Sequence, residues 1–197
     1  MCQEPTLWEK ALDFHGHSCP GLALGFRAAQ AGMARLNELR DVDEEIFAVV
    51  ENDSCGVDAV MVVSGCTPGK GNLLFKDLGK QAHTFGSRNS GKAVRVVAKN
   101  ALSRRDPEFA ALAARVTGGR ATPEEKETFA DLRDKRTLEL LKAPAEELFS
   151  ITEVHFEFPP RARIFESVQC AACGEWAMEP RMRLQNGKPV CITCAGD

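Results

Sequence analysis

The sequence predicts an α+β fold: a mixed helix and sheet core domain over residues 1–160, followed by a small zinc-ribbon or treble-clef module over residues 161–197. Three observations carry this expectation. A long run of small and apolar residues from Pro20 to Leu39 reads as a buried helix, and Ile46–Glu51 is β-branched and apolar enough for a buried strand. Gln81–Phe85 and Ala93–Ala98 flank the punctuation of Gly86–Gly91, which predicts an antiparallel hairpin. Two CxxC pairs, Cys170/Cys173 and Cys191/Cys194, lie in the last 28 residues.

Length and charge set the bounds. A chain of 197 residues suits one full domain plus a small one and buries about 70% of its unfolded surface. With 25 Lys and Arg against 28 Asp and Glu, the net charge is −3, so no basic excess points to nucleic acid or an anionic membrane. No run approaches the ~18 apolar residues of a membrane span, and the opening MCQEPTLWEK lacks the charged-then-apolar order of a signal peptide. The expectation is a cytoplasmic protein without a membrane partner. In a reducing compartment, eight cysteines read as metal ligands or reactive thiols rather than disulfides.

The elements follow in order. Thr6 after Pro5 caps a short helix to Phe14 that delivers the chain to His15. Gly21, Gly25 and Gly32 each cost the next helix about 1 kcal/mol, which implies close packing against another backbone. Asp41–Glu45 is a charged turn before the first strand. Val57–Gly65 reads as an apolar helix, although its valines also suit a strand. Cys66–Asn72 is a tight loop, Leu73–Phe75 a short strand, and Asp77–Lys80 a turn. After the hairpin, Asp106-Pro107 starts a helix to about Val116, and Thr122-Pro123-Glu124-Glu125 starts a longer one to Leu141 with a solvated charged face. Ala143–Phe149 forms a last helical turn, Ile151–Phe158 alternates as a half-buried strand, and Pro159-Pro160 closes the domain.

The chemistry concentrates in two places. In His15-Gly16-His17-Ser18-Cys19-Pro20-Gly21, proline at the first helical position puts Cys19 at a helix N-terminus, where free N–H groups and the macrodipole favour a thiolate. Two imidazoles and a thiol within five positions form a metal site or a poised nucleophile. The plainer alternative is that the histidines cap a turn and the cysteine packs as a small core residue. Cys55 in Glu51-Asn52-Asp53-Ser54-Cys55-Gly56 stands at a second helix start, just after a strand, so two cysteines from two helix N-termini can converge. Asp53 and Asp58 flank it as an orienting group and a site carboxylate, with helix capping the equal alternative for Asp53. In the terminal module, 17 residues separate the CxxC pairs, a spacing that suits one tetrahedral zinc on Cys170, Cys173, Cys191 and Cys194. A rubredoxin-like iron in the same thiolates is the rival. So short a segment has no apolar core of its own, and the ion supplies one.

Other groups weigh less. Gly65-Cys66-Thr67-Pro68-Gly69-Lys70-Gly71 has too few residues between its glycines for a phosphate-binding Walker loop and no Ser or Thr after the lysine. It remains either an anion loop through Lys70 or a tight turn. Cys66 reads as a buried structural thiol or a contributor to the core site, His83 as a hydrogen-bonded structural histidine or a site member, and His155 as structural or exposed. Cys2 is an incidental terminal thiol.

With His15-Gly16-His17-Ser18-Cys19-Pro20-Gly21, Cys55-Gly56-Val57-Asp58, Gly65–Asn72 and the CxxC pairs in this order, the chain resembles the FmdE family of formylmethanofuran dehydrogenase proteins over essentially its whole length. The resemblance implies an α+β core with a metal-associated Cys/His site and, in many members, a C-terminal zinc finger. It also implies tight dimers in which the zinc module can lie against the partner's core. By motif it assigns His17, Cys19 and Cys55 to the core site, with His15 ranked below them. The parent enzyme uses a molybdenum or tungsten pterin and iron–sulfur clusters. Nothing in this chain resembles a ferredoxin run or a pterin-binding catalytic protein, so it is not competent alone for the parent reaction.

Three functional expectations follow. The first is a metal-binding accessory or metal-handling protein of molybdenum or tungsten one-carbon metabolism in an anaerobe, a homodimer associated with a larger oxidoreductase complex. It carries a structural zinc on the four terminal cysteines and a second transition metal, expected to be zinc, at His15, His17, Cys19 and Cys55. The second is a free-standing metal-dependent or cysteine-dependent enzyme acting on a small molecule, with Cys19 and Cys55 as catalytic candidates. The third is an interaction module whose ribbon offers a local patch of Arg181, Arg183 and Lys188.

Overall fold

The computed structural model describes residues 4–99 and 107–196; Cys2 and Asp106 lie outside the described residues. The chain divides into two compact units, one through Arg161 and one from Ala162.

In the first unit, helix α1 (Leu7–His15) starts with the expected cap, a reciprocal box in which Thr6 accepts the Glu9 N–H and the Glu9 carboxylate accepts the Thr6 N–H. Helix α2 (Pro20–Leu36) stops three residues short of the predicted Leu39. Asn37 takes a left-handed conformation (φ 56°) and turns its N–H back to the Met33 and Ala34 carbonyls, a role for which Asn is suited. Strand β1 (Ile46–Val50) leads into helix α3 (Gly56–Ser64), which settles the helix-or-strand ambiguity of the valine-rich run in favour of a helix. Strand β2 (Leu73–Phe75) follows, then β3 (Ala82–Ser87), β4 (Ala93–Ala98), helices α4 (Pro107–Thr117), α5 (Pro123–Lys142) and α6 (Ala145–Leu148), and β5 (Phe149–Val154).

The five strands form one sheet in the order β2-β1-β3-β4-β5, with β2 parallel to β1 and every other pair antiparallel. The parallel pair exists because α3 supplies the crossover that parallel strands require. Register decides the faces. Ala48, Phe85 and Val94 stand opposite one another, as do Val50, His83 and Val96, and the apolar members join α2 and α3 residues in one core. On the other face, Phe47 pairs with Gly86, and the segment after β5 covers it with Phe156 and Phe158 at ring separations of 5.4 and 5.0 Å.

That packing explains two differences from the sequence reading. Gly86 lies inside β3 rather than in the turn, because a Cβ there would come within 2.2 Å of the Phe47 ring. The reversal falls at residues 88–91 instead. Strand β5 starts at Phe149 and stops at Val154, opposite Ala93, the first residue of its antiparallel partner β4, so His155–Phe158 leave the ladder and cover the sheet.

Helices α2 and α3 cross almost backbone to backbone. A Cβ on Gly25 would lie 2.2 Å from the Gly56 carbonyl oxygen, so only glycine fits. Gly32 differs from expectation, since its neighbour is the Phe85 ring rather than a backbone. Trp8 of α1 packs edge-on against Phe26 of α2 at 5.3 Å and ties the third helix to the pair.

Two polar networks hold β1 at its ends. The fully buried Asp41 carboxylate accepts the Ile46 N–H at 2.8 Å, the Asn72 amide at 2.8 Å and the Lys70 ammonium. Burial pushes the Asp41 carboxyl up, but Lys70 and the Ile46 amide outweigh it and hold the group below its ordinary value. Lys70 is therefore the counter-ion of Asp41, and its loop is a tight structural turn, not the anion loop the sequence left open. At the other end, Glu51 takes two hydrogen bonds from Arg95 across the sheet, at 2.9 and 2.8 Å.

Substituting Gly25→Val should cost about 3 kcal/mol or more through overpacking, roughly 6–12 °C in Tm for a domain of this size, read by circular-dichroism melting. An unchanged Tm would mean that the crossing is not tight.

The Arg95 hydrogen bonds hold Glu51 below its ordinary value against burial. Its folded value lies below its unfolded value, so the stabilisation is present above about pH 5 and lost as pH falls through the folded value. Arg95→Ala should cost about 2 kcal/mol at pH 7, less than a fully buried pair, because Arg95 is part-exposed. With Glu51 then buried and unpartnered, its carboxyl rises, and guanidinium midpoints measured at pH 7 and pH 4 should differ less in the variant than in wild type.

Candidate metal centres

Three chain segments build the core cluster. His15 lies in the last turn of α1, and Gly16 ends that helix in a left-handed conformation (φ 87°), turning the chain toward His17. Cys19 is the N-cap of α2, and its buried sulfur accepts the Leu22 N–H at 3.3 Å, which fixes its position. Cys55 is the N-cap of α3, and its own side chain makes no capping hydrogen bond. Gly21 lets Cys55 sit close to α2, since a Cβ there would stand 3.3 Å from the Cys55 Cβ.

One donor atom from each of His15, His17, Cys19 and Cys55 lies within 4.8 Å of the other three. A tetrahedral ion with Zn–N and Zn–S bonds of ordinary length needs donor separations of roughly 3.3–3.8 Å. The His15 Nε2 to Cys19 Sγ distance of 3.9 Å is already near that range. His15 Nδ1 lies 2.7 Å from an Asp58 carboxylate oxygen, a contact that turns Nε2 toward Cys19. Asp58 thus takes the orienting role, and His15, ranked last by motif, is the better braced of the two histidines. Burial, and next the adjacent Cys19 sulfur, push the Cys55 thiol above its ordinary value. Two thiolates side by side repel, and a divalent cation between them relieves that repulsion. The donor set and its spacing fit a transition metal.

The second unit holds the other cluster. Strands β6 (Ser167–Gln169) and β7 (Trp176–Met178) form one hairpin, and β8 (Met182–Gln185) and β9 (Lys188–Cys191) form another, turned by Asn186-Gly187 as the sequence predicts. A short 3₁₀ turn links the hairpins, and helix α7 (Ile192–Ala195) follows β9. Cys170 and Cys173 flank the tip of the first hairpin, where Gly174 (φ 78°) lets the backbone fold over the sulfurs; Cys191 and Cys194 bracket the start of α7. The four sulfurs lie within 4.8 Å of one another. Backbone N–H groups of Cys173 and Cys191 pull the Cys170 thiol down to about 6, while the neighbouring Cys191 and Cys173 thiols push Cys194 up to about 12. Apart from the cysteines, Val190 is the one buried side chain in this unit's core among the described residues, so the apolar core is too small to hold the unit together.

The remaining candidates fall outside both clusters. Asp53 is exposed and caps nothing, since Asn52 Oδ1 accepts the Ser54 N–H at 3.1 Å in its place. Cys66 is buried, donates to the Ile46 carbonyl at 3.6 Å, and is pushed up to about 12 by burial, which makes it a structural thiol. His83 is buried on the helix-facing side of β3. Its Nδ1 has no hydrogen-bond partner among the described residues, contrary to the hydrogen-bonded expectation, and burial pulls it down to about 4, leaving it neutral. His155, Arg181 and Lys188 are exposed.

Residues 14–150 match the family described as FmdE, molybdenum formylmethanofuran dehydrogenase operon. The chain belongs to this family. Residues 163–197 match the prokaryotic dksA/traR C4-type zinc finger, so the FmdE domain is followed by a zinc finger and the chain is a metal-binding protein. A probable S-adenosyl-L-methionine-binding protein of Archaeoglobus fulgidus is 36% identical over 194 residues, which are 95% of this chain and 52% of that protein. The chain therefore spans about half the length of this relative. A tungsten formylmethanofuran dehydrogenase FmdE-like protein from Syntrophus aciditrophicus superposes with a TM-score of 0.63 at 22% identity, covering 95% of this chain and 89% of that one, a likeness of fold. No helix among the described residues is long and apolar enough to cross a membrane.

Replacing the brace of the FmdE-domain histidine, Asp58→Asn, should weaken retention of the core ion roughly 10- to 100-fold without changing the number of ions bound. Competition with a chromophoric chelator measures this, and unaltered retention would remove Asp58 from the site.

Proposed function

We propose that this chain is a metal-handling accessory protein of molybdenum or tungsten one-carbon metabolism, holding one transition metal on His15, His17, Cys19 and Cys55 and a structural zinc in the C-terminal finger. The observation that carries the reading is the delivery of two cysteines by two helix N-termini to within 4.8 Å of two histidines on a third segment. Soft thiolate and imidazole donors suit zinc and related late transition metals, and their mixed ligation allows exchange. The family description and the name of the Syntrophus neighbour support the metabolic setting. The proposal includes a cytoplasmic homodimer in an anaerobe, working beside a larger oxidoreductase.

A second reading is favoured by one observation, the exposure of His17, which opens the cluster to solvent. In it the chain is a free-standing enzyme on a small molecule, with the ion, Cys19 or Cys55 as the reacting centre. S-adenosyl-L-methionine, named in the description of the Archaeoglobus relative, is the first compound to test for binding.

The deciding measurement is metal content by plasma mass spectrometry on species sized by light scattering. Wild type should carry two ions per chain and have the mass of a dimer, and Cys19→Ser and Cys170→Ser should each carry one. A Cys19→Ser count equal to wild type would refute the core site. A three-donor site with bound water, read by X-ray absorption, would favour the enzyme.

A further inference from the structure

The four core donors are not held alike. Cys19 is buried and fixed by the Leu22 amide, and His15 has a side chain only 10% exposed and carries the Asp58 brace. Cys55 is half-buried at the head of α3, directly before the glycine locked against Gly25. His17 is different. It is exposed, it sits in the short link at residues 16–18, and among the described residues no hydrogen bond orients its ring. It makes a tilted aromatic contact with the His15 ring, with centroids 4.4 Å apart. A Cβ on Gly16 would meet nothing within 4 Å, so the space beside the link is open.

Building on the metal reading above, we infer that His17 is the displaceable ligand of the core ion, and that a neutral nitrogen or sulfur donor takes its place. His15, Cys19 and Cys55 keep the ion while the metal–nitrogen bond to His17 breaks and one bond to the incoming donor forms. His17 leaves as neutral imidazole, and no electrons are transferred. Charge selects the incoming class. Two thiolates already cancel a divalent cation, and the Asp58 carboxylate adds a negative charge behind His15, so a small anion is repelled where an imidazole, amine or thioether is not. Displacement by such a donor is how a metal-handling protein passes an ion on or admits a ligand to it.

The test uses the full chain loaded with cobalt(II), whose bands report thiolate ligation and coordination number. The spectrum of Cys19→Ser, which retains the finger ion alone, is subtracted. His17→Ala should still bind two ions, the core one held by His15, Cys19 and Cys55. Its core spectrum should differ from wild type and return toward it on adding imidazole, but not on adding azide. Wild type should show the same core spectrum with or without azide. Loss of the core ion in His17→Ala would make His17 an anchoring ligand and overturn the inference. So would a His17→Ala spectrum identical to wild type, since His17 would then not be a ligand, or an equal response to azide. A wild-type chain that binds cobalt only in the finger would instead remove the metal reading beneath it.

Discussion

The close contact of Gly25 with Gly56 is the constraint on which the core site depends. Cys55 is the N-cap immediately before Gly56, and Cys19 is the N-cap six residues before Gly25, so the distance between the two sulfurs is set by how near α2 and α3 approach. A side chain at Gly25 would wedge the helices apart and separate the thiols, and one at Gly56 would press within 3.1 Å of the Gly21 and Gly25 backbone. Glycine in a helix costs about 1 kcal/mol in propensity, and here that cost is offset by the packing of two backbones over a shared core. The same contact points two helix N-termini at one place, where their N–H groups favour negative charge. The site is thus a product of helix packing rather than of one contiguous motif.

The two clusters solve the same electrostatic problem in different settings. In the finger, a backbone cradle stabilises the first thiolate, on Cys170, and the neighbouring sulfurs resist further ionisation until a cation arrives. In the core, Leu22 offers its amide to Cys19 while burial and Cys19 resist ionisation at Cys55. Both arrangements make ion binding and proton release the same event. They differ in what else holds the scaffold. The core cluster sits on a sheet and helix domain with a large apolar interior, whereas the finger's strands are three or four residues long and enclose little besides sulfur.

Much of this was legible in the sequence, for identifiable reasons. Pro20 after Cys19 and Thr122 before Pro123 are chemical start signals, and both helices begin where those residues require. The CxxC spacing specifies its own geometry. The partners of the chemistry were harder to read, because they depend on register and packing. That Lys70 belongs to Asp41, 29 positions away, follows from the β1–β2 pairing and from no local pattern. Gly86 resembles turn punctuation until Phe47 is seen to occupy its missing side chain. The order of the two histidines was inverted by Asp58, which stands 43 residues from His15 and meets it only because α3 packs beside α1.

The support beneath each core ligand grades from rigid to loose along a traceable path. Asp41 pins the start of β1 through the Ile46 amide, and Arg95 pins its end through Glu51. Asn52 then ties the next turn down by donating to the Lys80 carbonyl at 2.6 Å and accepting the Ser54 amide, which leaves little freedom for Cys55. Cys19 inherits its position from α2, the helix that packs on α3 and on the sheet. His15 is held at one remove, through Asp58 on α3. Among the described residues, His17 has a neighbouring ring and no hydrogen bond. The cluster is thus firmly supported at three of its four side chains and loosely at the fourth, His17, which is exposed.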